Sequence, residues 1–438
     1  MKEILSTQPY IGARDFYPEE MRIRNYIFDA WKRVCVRYGY EEYDFPILEP
    51  LEIFAAKTGE EIVKTQLFSF VDQGGRSLAI RPELTPGTVR MIAQKFNQLQ
   101  KPIKWFMIGN NWRYERPQMG RGREFYQLEA NIFGVNEISA DFEIFNLVID
   151  LMKEFGANST MFELKYSDRK LINALLLDTL KLDDELAVQT RRLMDKRKKL
   201  TPEAFIEGCE KLGLTSDQAD LINKFMFCEF NELSQIIPQE ILSENAGYLN
   251  LVNLRKMIDD AKINEYCVFD PGIIRGFDYS DGLVYEVFDK NTKNRRSLFG
   301  GERFDKLIEI FGNLELVATG FAMGDWTLLE FLKNWNLLPE LGSKTEYFVT
   351  VWPGEDTKYL EYSLKIGTLL RNAGKNTDTW LQTSSKLDKQ LKYADKKGYK
   401  FAIIAGEDEI SNKKVTIKNL KTAEQTTVEY NEFLKQLA

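Results

Sequence analysis

Four arginines, Arg113, Arg116, Arg121 and Arg123, fall within eleven residues of the run KWFMIGNNWRYERPQMGRGREFYQLEANIFG that occupies positions 104–134. A guanidinium is planar, always charged and able to grip two phosphate oxygens at once, so such a cluster suits a polyphosphate. Just downstream, Gln127, Glu129 and Asn131 alternate with Tyr126, Leu128, Ala130 and Ile132. Side chains of a strand point to opposite faces in turn, so one face is expected to be buried while the other presents two amides flanking a carboxylate. Together these residue types suit a polyphosphate beside a pocket for a small polar molecule. A plain surface hairpin with solvated arginines is the competing reading, and it leaves the three polar residues on one strand face without a reason.

The elements that must hold these groups are legible on either side. Pro117, Gly120 and Gly122 mark the loop of a hairpin whose strands flank it. Upstream, Gln73-Gly74-Gly75 is a turn between two extended runs, and Thr85-Pro86 offers an N-cap and a first-turn proline for a helix. Arg81, Glu83 and Thr85 therefore stand where a strand meets a helix start, with an ordinary Arg81–Glu83 ion pair as the bland alternative. Residues 18–40 read as a long amphipathic helix, followed by an extended segment between Pro46 and Pro50. From Val268 to Phe311 the pattern is again strand-like, with Arg275 between Gly272 and Gly276 and with Gly300-Gly301 placed for close backbone approach to a ligand. Val317 to Leu332 sets small residues at a strand-to-helix junction.

At 438 residues the chain is expected to form two or three domains. The segment 167–249 reads as an inserted helical domain. Its basic cluster, Arg191, Arg192, Lys196, Arg197, Lys198 and Lys199, fits a solvated helix face better than an RNA contact. From 345 to 438 strands and helices alternate, which predicts a small α/β domain with a largely parallel sheet. Four widely spaced cysteines, none in a CxxC pair, argue against a disulfide framework or zinc knuckle and fit a reducing cytoplasm. The first residues carry no hydrophobic signal core, and no apolar run approaches the ~20 residues needed to cross a bilayer, so neither export nor membrane insertion is expected. Net charge is −7, but from Lys344 onward sixteen Lys/Arg face thirteen Asp/Glu, leaving +3 there and −10 in the rest. An acidic body with a mildly basic end can still meet RNA through local patches. The chain contains no histidine. Mechanisms that need an imidazole base, a Ser-His-Asp triad or a histidine-ligated metal are thereby excluded.

WRYERP followed by REFYQLEANIFG resembles motif 2 of the class II aminoacyl-tRNA synthetases, most closely the histidyl-tRNA synthetase version. The early helix and proline-bearing strand are similar to motif 1, RPELT to the family's amino-acid segment, and VATGFAMGDWTL to motif 3. RGFDYS and GGERFD resemble the two histidyl signatures, commonly RGLDYY and GGGRYD, and the C-terminal segment looks like the family's anticodon-binding domain. The resemblance implies an α+β catalytic domain, an antiparallel sheet flanked by helices, in two parts (1–166 and 250–338) around the helical insertion.

It further implies a homodimer in the cytoplasm that activates histidine with ATP and Mg²⁺ and transfers it to tRNA(His); no protein metal site is assigned. By motif, Arg113 and Arg275 would be catalytic. Glu115, Arg121 and Phe125 would join them on ATP, Phe125 stacking on adenine. Glu83, Leu84, Thr85, Gln127, Glu129, Asn131, Tyr279 and Ser280 would surround the amino acid. Departures from the pattern are Asn131 where the family has an acid facing the imidazole, Ser280 for a tyrosine, and Thr327 where many motif 3 sequences place an arginine. Asn131 cannot stabilise an imidazolium as a carboxylate would, so Glu129, two residues away on the same face, is expected to take that part. A non-charging paralogue that senses tRNA, and an adenylate-forming enzyme for another amino acid, are the alternatives.

Overall fold

In the computed structural model, residues 5–55, 65–117, 120–197, 200–274, 282–291, 294 and 296–437 are described. The chain divides into two compact units, Met1–Leu338 and Pro339–Ala438. The first is built on an eight-stranded sheet. Its order is Glu41–Glu42, Ile103–Trp112, Glu124–Phe133, Ala318–Gly324, Ser297–Arg303, Leu283–Asp289, Phe162–Asp168 and Cys267–Phe269. The two outermost pairings are parallel and the five between them antiparallel. This is the antiparallel sheet flanked by helices that the motifs imply.

The long hairpin lies inside this sheet, Ile103–Trp112 paired with Glu124–Phe133 over their whole length. Its alternation is obeyed on both faces. Leu128, Ala130 and Ile132 join Trp31 and Val34 of the helix Pro18–Arg37, and Phe145 and Val148 of the helix Ile138–Glu154, in one apolar core. Trp31 is fully buried, its ring nitrogen 3.1 Å from the Met323 sulfur. Truncating such a side chain to alanine typically costs 3–5 kcal/mol, so this packing fixes the back of the sheet firmly.

The opposite face carries Gln127, Glu129 and Asn131, and register explains the space before them. Across the pairing with Ala318–Gly324 they stand opposite Gly324, Ala322 and Gly320 in turn. Small residues on one strand leave a trough beside the polar residues on the next.

A three-stranded sheet of Leu48–Pro50, Phe68–Val71 and Ser77–Ile80 feeds the helix Thr85–Gln94. The turn at Gly74-Gly75 is closed by Asp72, which accepts from the backbone nitrogens of Gly74 and Arg76, and Gly75 has a positive φ of 80°. Thr85 departs from its expected cap role. Leu84 holds the N-cap position with no side-chain cap bond, and the Thr85 hydroxyl donates instead to Glu129.

The helical segment belongs to the first unit, and Phe205, Ile222 and Leu251 share its apolar core. Its helices run to Asp260 and carry side-chain caps at Asp183, Thr201, Thr215 and Asn245. Of the basic cluster, Arg197 is buried and donates to Asn223, and Arg191 donates to Asn173. Those two serve packing within the segment, and Lys198 and Lys199 lie outside the described residues.

In the second unit the sheet order is Thr377–Thr379, Tyr347–Val349, Phe401–Ile404, Lys414–Asn419, Gln425–Glu429. The first two pairings are parallel, but the last two are antiparallel, so the largely parallel sheet expected there is mixed. Helices Thr357–Asn372 and Leu387–Lys396 supply the expected crossovers. The final hairpin turns at residues 420–424, a connection too short for a crossover, which keeps its strands antiparallel. Among the described residues no helix is long and apolar enough to cross a membrane.

Candidate active site

A cavity of about 340 Å³ opens on the polar face of the hairpin. Glu83, Thr85, Arg113, Glu115, Arg121, Phe125, Gln127, Glu129 and Asn131, nine of the residues singled out from sequence, all line it. Glu83 and Thr85 arrive from the strand-to-helix junction, and the others from the hairpin and its loop. Glu286, Ser297, Gly300, Gly320 and Thr327 are among the other residues of the wall.

Arg113 is tethered once, its Nε donating to the Pro82 carbonyl at 2.9 Å. Among the described residues its terminal nitrogens make no bond, and the guanidinium lies 5.4 Å from the centroid of the Phe125 ring. It is a fixed cation with its fork still open. Arg121 is more exposed and pairs with Glu115 at 2.7 Å. Arg116 and Arg123 do not line the cavity. Arg116 is exposed, while Arg123 lies over the rings of Tyr10 and Tyr114 and donates to the Glu115 carbonyl. Two of the four clustered arginines therefore face the site, and Arg123 instead braces the loop.

The two amides on the strand are turned in opposite senses by their partners. Gln127 accepts through Oε1 from Asn111 at 2.8 Å, which leaves its NH₂ group as the end toward the cavity. Asn131 donates through Nδ2 to Glu129 at 2.8 Å, which leaves Oδ1. Between them Glu129 is 2 % exposed and accepts from Thr85 at 2.8 Å, Thr88 at 3.1 Å and Tyr43 at 3.4 Å besides Asn131. Burial pushes its carboxyl up to about 7 against the pull of the Thr85, Asn131 and Thr88 bonds, and neighbouring Glu83 adds to the rise.

Several expectations shift. Leu84 does not line the cavity; it is fully buried with Phe45 and Met107. Arg81 makes no ion pair with Glu83 and holds the Asn110 and Phe45 carbonyls, with Asp44 at 3.7 Å. Gly300 and Gly301 both line the cavity, as expected, and Gly301 also serves strand packing, because a β-carbon there would meet the Gly320 carbonyl and the Tyr285 hydroxyl at 2.2 Å. Thr327, in the place of an arginine, donates to the Leu298 carbonyl at 2.6 Å. Arg275, Tyr279 and Ser280 lie outside the described residues.

Sequence reasoning missed Gly320, Thr88 and Tyr43. Gly320 belongs to the TGFAMG run, which reads from sequence only as small residues at a strand-to-helix junction; its register, opposite Asn131, reveals the further use. Nothing in the order of residues announces that Tyr43 and Thr88 meet Glu129.

An antiparallel sheet bearing a hairpin with the open fork of Arg113, beside a strand face of two amides and a carboxylate and a glycine-rich strand-to-helix junction, defines a class II aminoacyl-tRNA synthetase. Family models described as "Histidyl-tRNA synthetase" and "Anticodon binding domain" match residues 12–325 and 348–438. A histidine–tRNA ligase of Leptospira biflexa is 41% identical over 436 residues, 99% of this chain and 98% of that protein. One from Halobacterium salinarum is 36% identical over 95% of this chain and 94% of its own. In fold, the chain is similar to the crystal structure of histidyl-tRNA synthetase from Nostoc, with a TM-score of 0.81 at 22% identity over 99% of both chains. The chain belongs to the histidyl-tRNA synthetase family.

Proposed function

We propose that the protein is a histidine–tRNA ligase, joining histidine to tRNA(His) at the expense of ATP. The observation that carries this reading is the convergence, in one cavity, of Arg113 with an open fork and the Gln127–Glu129–Asn131 strand face, within a chain that matches histidine–tRNA ligases along nearly its whole length.

In the first step a carboxylate oxygen of histidine attacks the α-phosphorus of ATP. The bond to the pyrophosphate breaks, giving the adenylate. Two anions must meet, so the site's task is to hold and neutralise them, and it needs no protein nucleophile. The open fork of Arg113 is suited to the α-phosphate, where charge develops. Arg121 would grip the distal phosphates after exchanging Glu115 for them, and Phe125 would stack on adenine. Glu83 offers a carboxylate to the substrate ammonium, and the NH₂ group of Gln127 a donor to its carboxylate. Arg275, in the first histidyl signature, is proposed as the second cation, and Tyr279 and Ser280 as part of the side-chain pocket. In the second step a ribose hydroxyl of the terminal adenosine attacks the carbonyl carbon and releases AMP.

Mg²⁺ would screen the phosphates when bound. Among the described residues no three acidic, cysteine or histidine side chains are grouped to hold a metal alone. That suits an ion carried chiefly by phosphates with one or two carboxylates, for which Glu286 in the cavity wall is placed. The helix Pro18–Arg37 and the strand after it, the counterpart of motif 1, are proposed to form a homodimer interface, the second unit to receive the anticodon stem, and the enzyme to work in the cytoplasm. Charging of a tRNA(His) transcript with labelled histidine tests the whole reading. Adenylate formation without charging would move the protein to a different class of adenylate-forming enzyme.

A further inference from the structure

We propose that Glu129 is a positioning residue that selects histidine indirectly, by locking the Asn131 amide so that its oxygen, rather than its NH₂ group, is presented to the imidazole N–H. The inference rests on the ligase reading above and supplies the specificity device of that site. It also replaces the expectation that Glu129 itself faces the imidazole.

Three observations converge. First, Asn131 Nδ2 donates to Glu129 Oε1 at 2.8 Å, and an ionised carboxylate, the form Glu129 takes at pH 8 where the test below is run, can only accept, so the amide has one sensible orientation. Second, the remaining atom, Oδ1, lies directly over the backbone of Gly320, where a β-carbon would stand 1.8 Å from it. Asn131 and Gly320 both line the cavity, so the glycine makes room for the oxygen there. Among the described residues Oδ1 accepts no hydrogen bond. Third, both oxygens of Glu129 are already engaged, by Thr85 on one side and by Thr88, Tyr43 and Asn131 on the other, whereas Glu129 and Asn131 are equally buried. That arrangement suits a support for its neighbour better than a direct contact with a ligand.

An amide oxygen held in this way asks its ligand for a donor. Histidine carries a ring N–H in every protonation state it adopts in water. An apolar side chain of similar size would leave Oδ1 desolvated and unpaired, and such a loss discriminates strongly.

The test uses the full-length protein, ATP–pyrophosphate exchange at pH 8 and histidine as the probe, with four variants. Glu129→Gln can still accept from Asn131 through Oε1 and donate to Thr85 through Nε2. It should therefore keep the histidine KM within about twofold of the parent. Glu129→Met removes the acceptor and should raise the histidine KM at least tenfold, with the ATP KM unchanged. Asn131→Ala should raise it to a similar degree. The double variant Glu129→Met/Asn131→Ala should be no worse than Asn131→Ala alone, because a residue acting only through another has no effect once that other is gone. A tenfold rise in Glu129→Gln would mean a direct charge contact with the imidazole and would overturn the proposal, as would additive losses in the double variant. If Glu129→Met does not fold, Glu129→Gln and Asn131→Ala decide it: the proposal requires an unchanged KM in the first and a raised KM in the second. A parent protein inert toward histidine removes the ligase reading, and the inference with it; an active parent with a failed variant pattern removes the inference alone.

Discussion

Gly320 and Asn131 face each other across adjacent strands so closely that a β-carbon on residue 320 would stand 1.8 Å from the Asn131 oxygen and 2.6 Å from the Ala130 carbonyl. The second obstacle is backbone and cannot swing aside. Gly320→Ala is therefore expected to part the two strands, lowering histidine-dependent exchange at least a hundredfold and the melting temperature by several degrees. Exchange kinetics and thermal unfolding of the variant check both. A variant with parental KM would show that the trough is not where histidine binds.

Arg113 is held by one bond to a carbonyl, so its removal should leave the fold alone. Arg113→Gln is expected to lower kcat for adenylate formation by about 10²–10³, the usual loss when one fixed group that stabilises transition-state charge is removed. Unfolding midpoints should match the parent within error. A fall in kcat accompanied by an equal fall in stability would assign Arg113 to structure instead.

Behind the sheet Arg303 and Asp141 form an ion pair in which both side chains are almost fully buried, and Thr319 also donates to Asp141 at 2.7 Å. Asp141→Ala leaves the buried guanidinium with only the longer 3.7 Å contact to Asp305, so the loss should approach the 3–5 kcal/mol typical of breaking a buried pair. Urea unfolding should show that loss. The pair lies outside the cavity lining, so kcat measured well below the unfolding midpoint should change little.

The raised carboxyl of Glu129 has a consequence for stability. Its value of about 7 lies above the ordinary 4.5, so the folded chain holds this proton more tightly than the unfolded one. Below pH 4.5 the group is neutral in both states and contributes nothing. Between 4.5 and 7 the unfolded chain loses its proton first, and stability declines as pH rises; above 7 the full penalty of burying the charge is present. Glu129→Gln removes the penalty. The variant should be more stable than the parent at pH 8, by up to about 3 kcal/mol, and nearly equal to it at pH 5. Urea unfolding at the two pH values decides the point, and a pH-independent difference would contradict it.

These relationships show which parts of the site sequence reading could reach. Alternation placed Gln127, Glu129 and Asn131 on one face because a strand's period of two is fixed by backbone geometry. The turn at Gly74-Gly75 and the first-turn proline at Pro86 were equally local, and so were legible. Arg123 and Arg121 are alike in sequence, but Tyr10, more than a hundred residues away, joins Tyr114 and the Glu115 carbonyl in directing Arg123 to the loop. Likewise Thr85 satisfied every local rule for a helix cap and was drawn to Glu129 by the fold. The antiparallel strands Lys414–Asn419 and Gln425–Glu429 were missed because alternation of strand and helix stops there.

The most direct measurement is ATP–pyrophosphate exchange by the purified protein with each of the twenty amino acids in turn. The account predicts exchange with histidine alone. Exchange with a different amino acid, or none with any while ATP still binds, would contradict it.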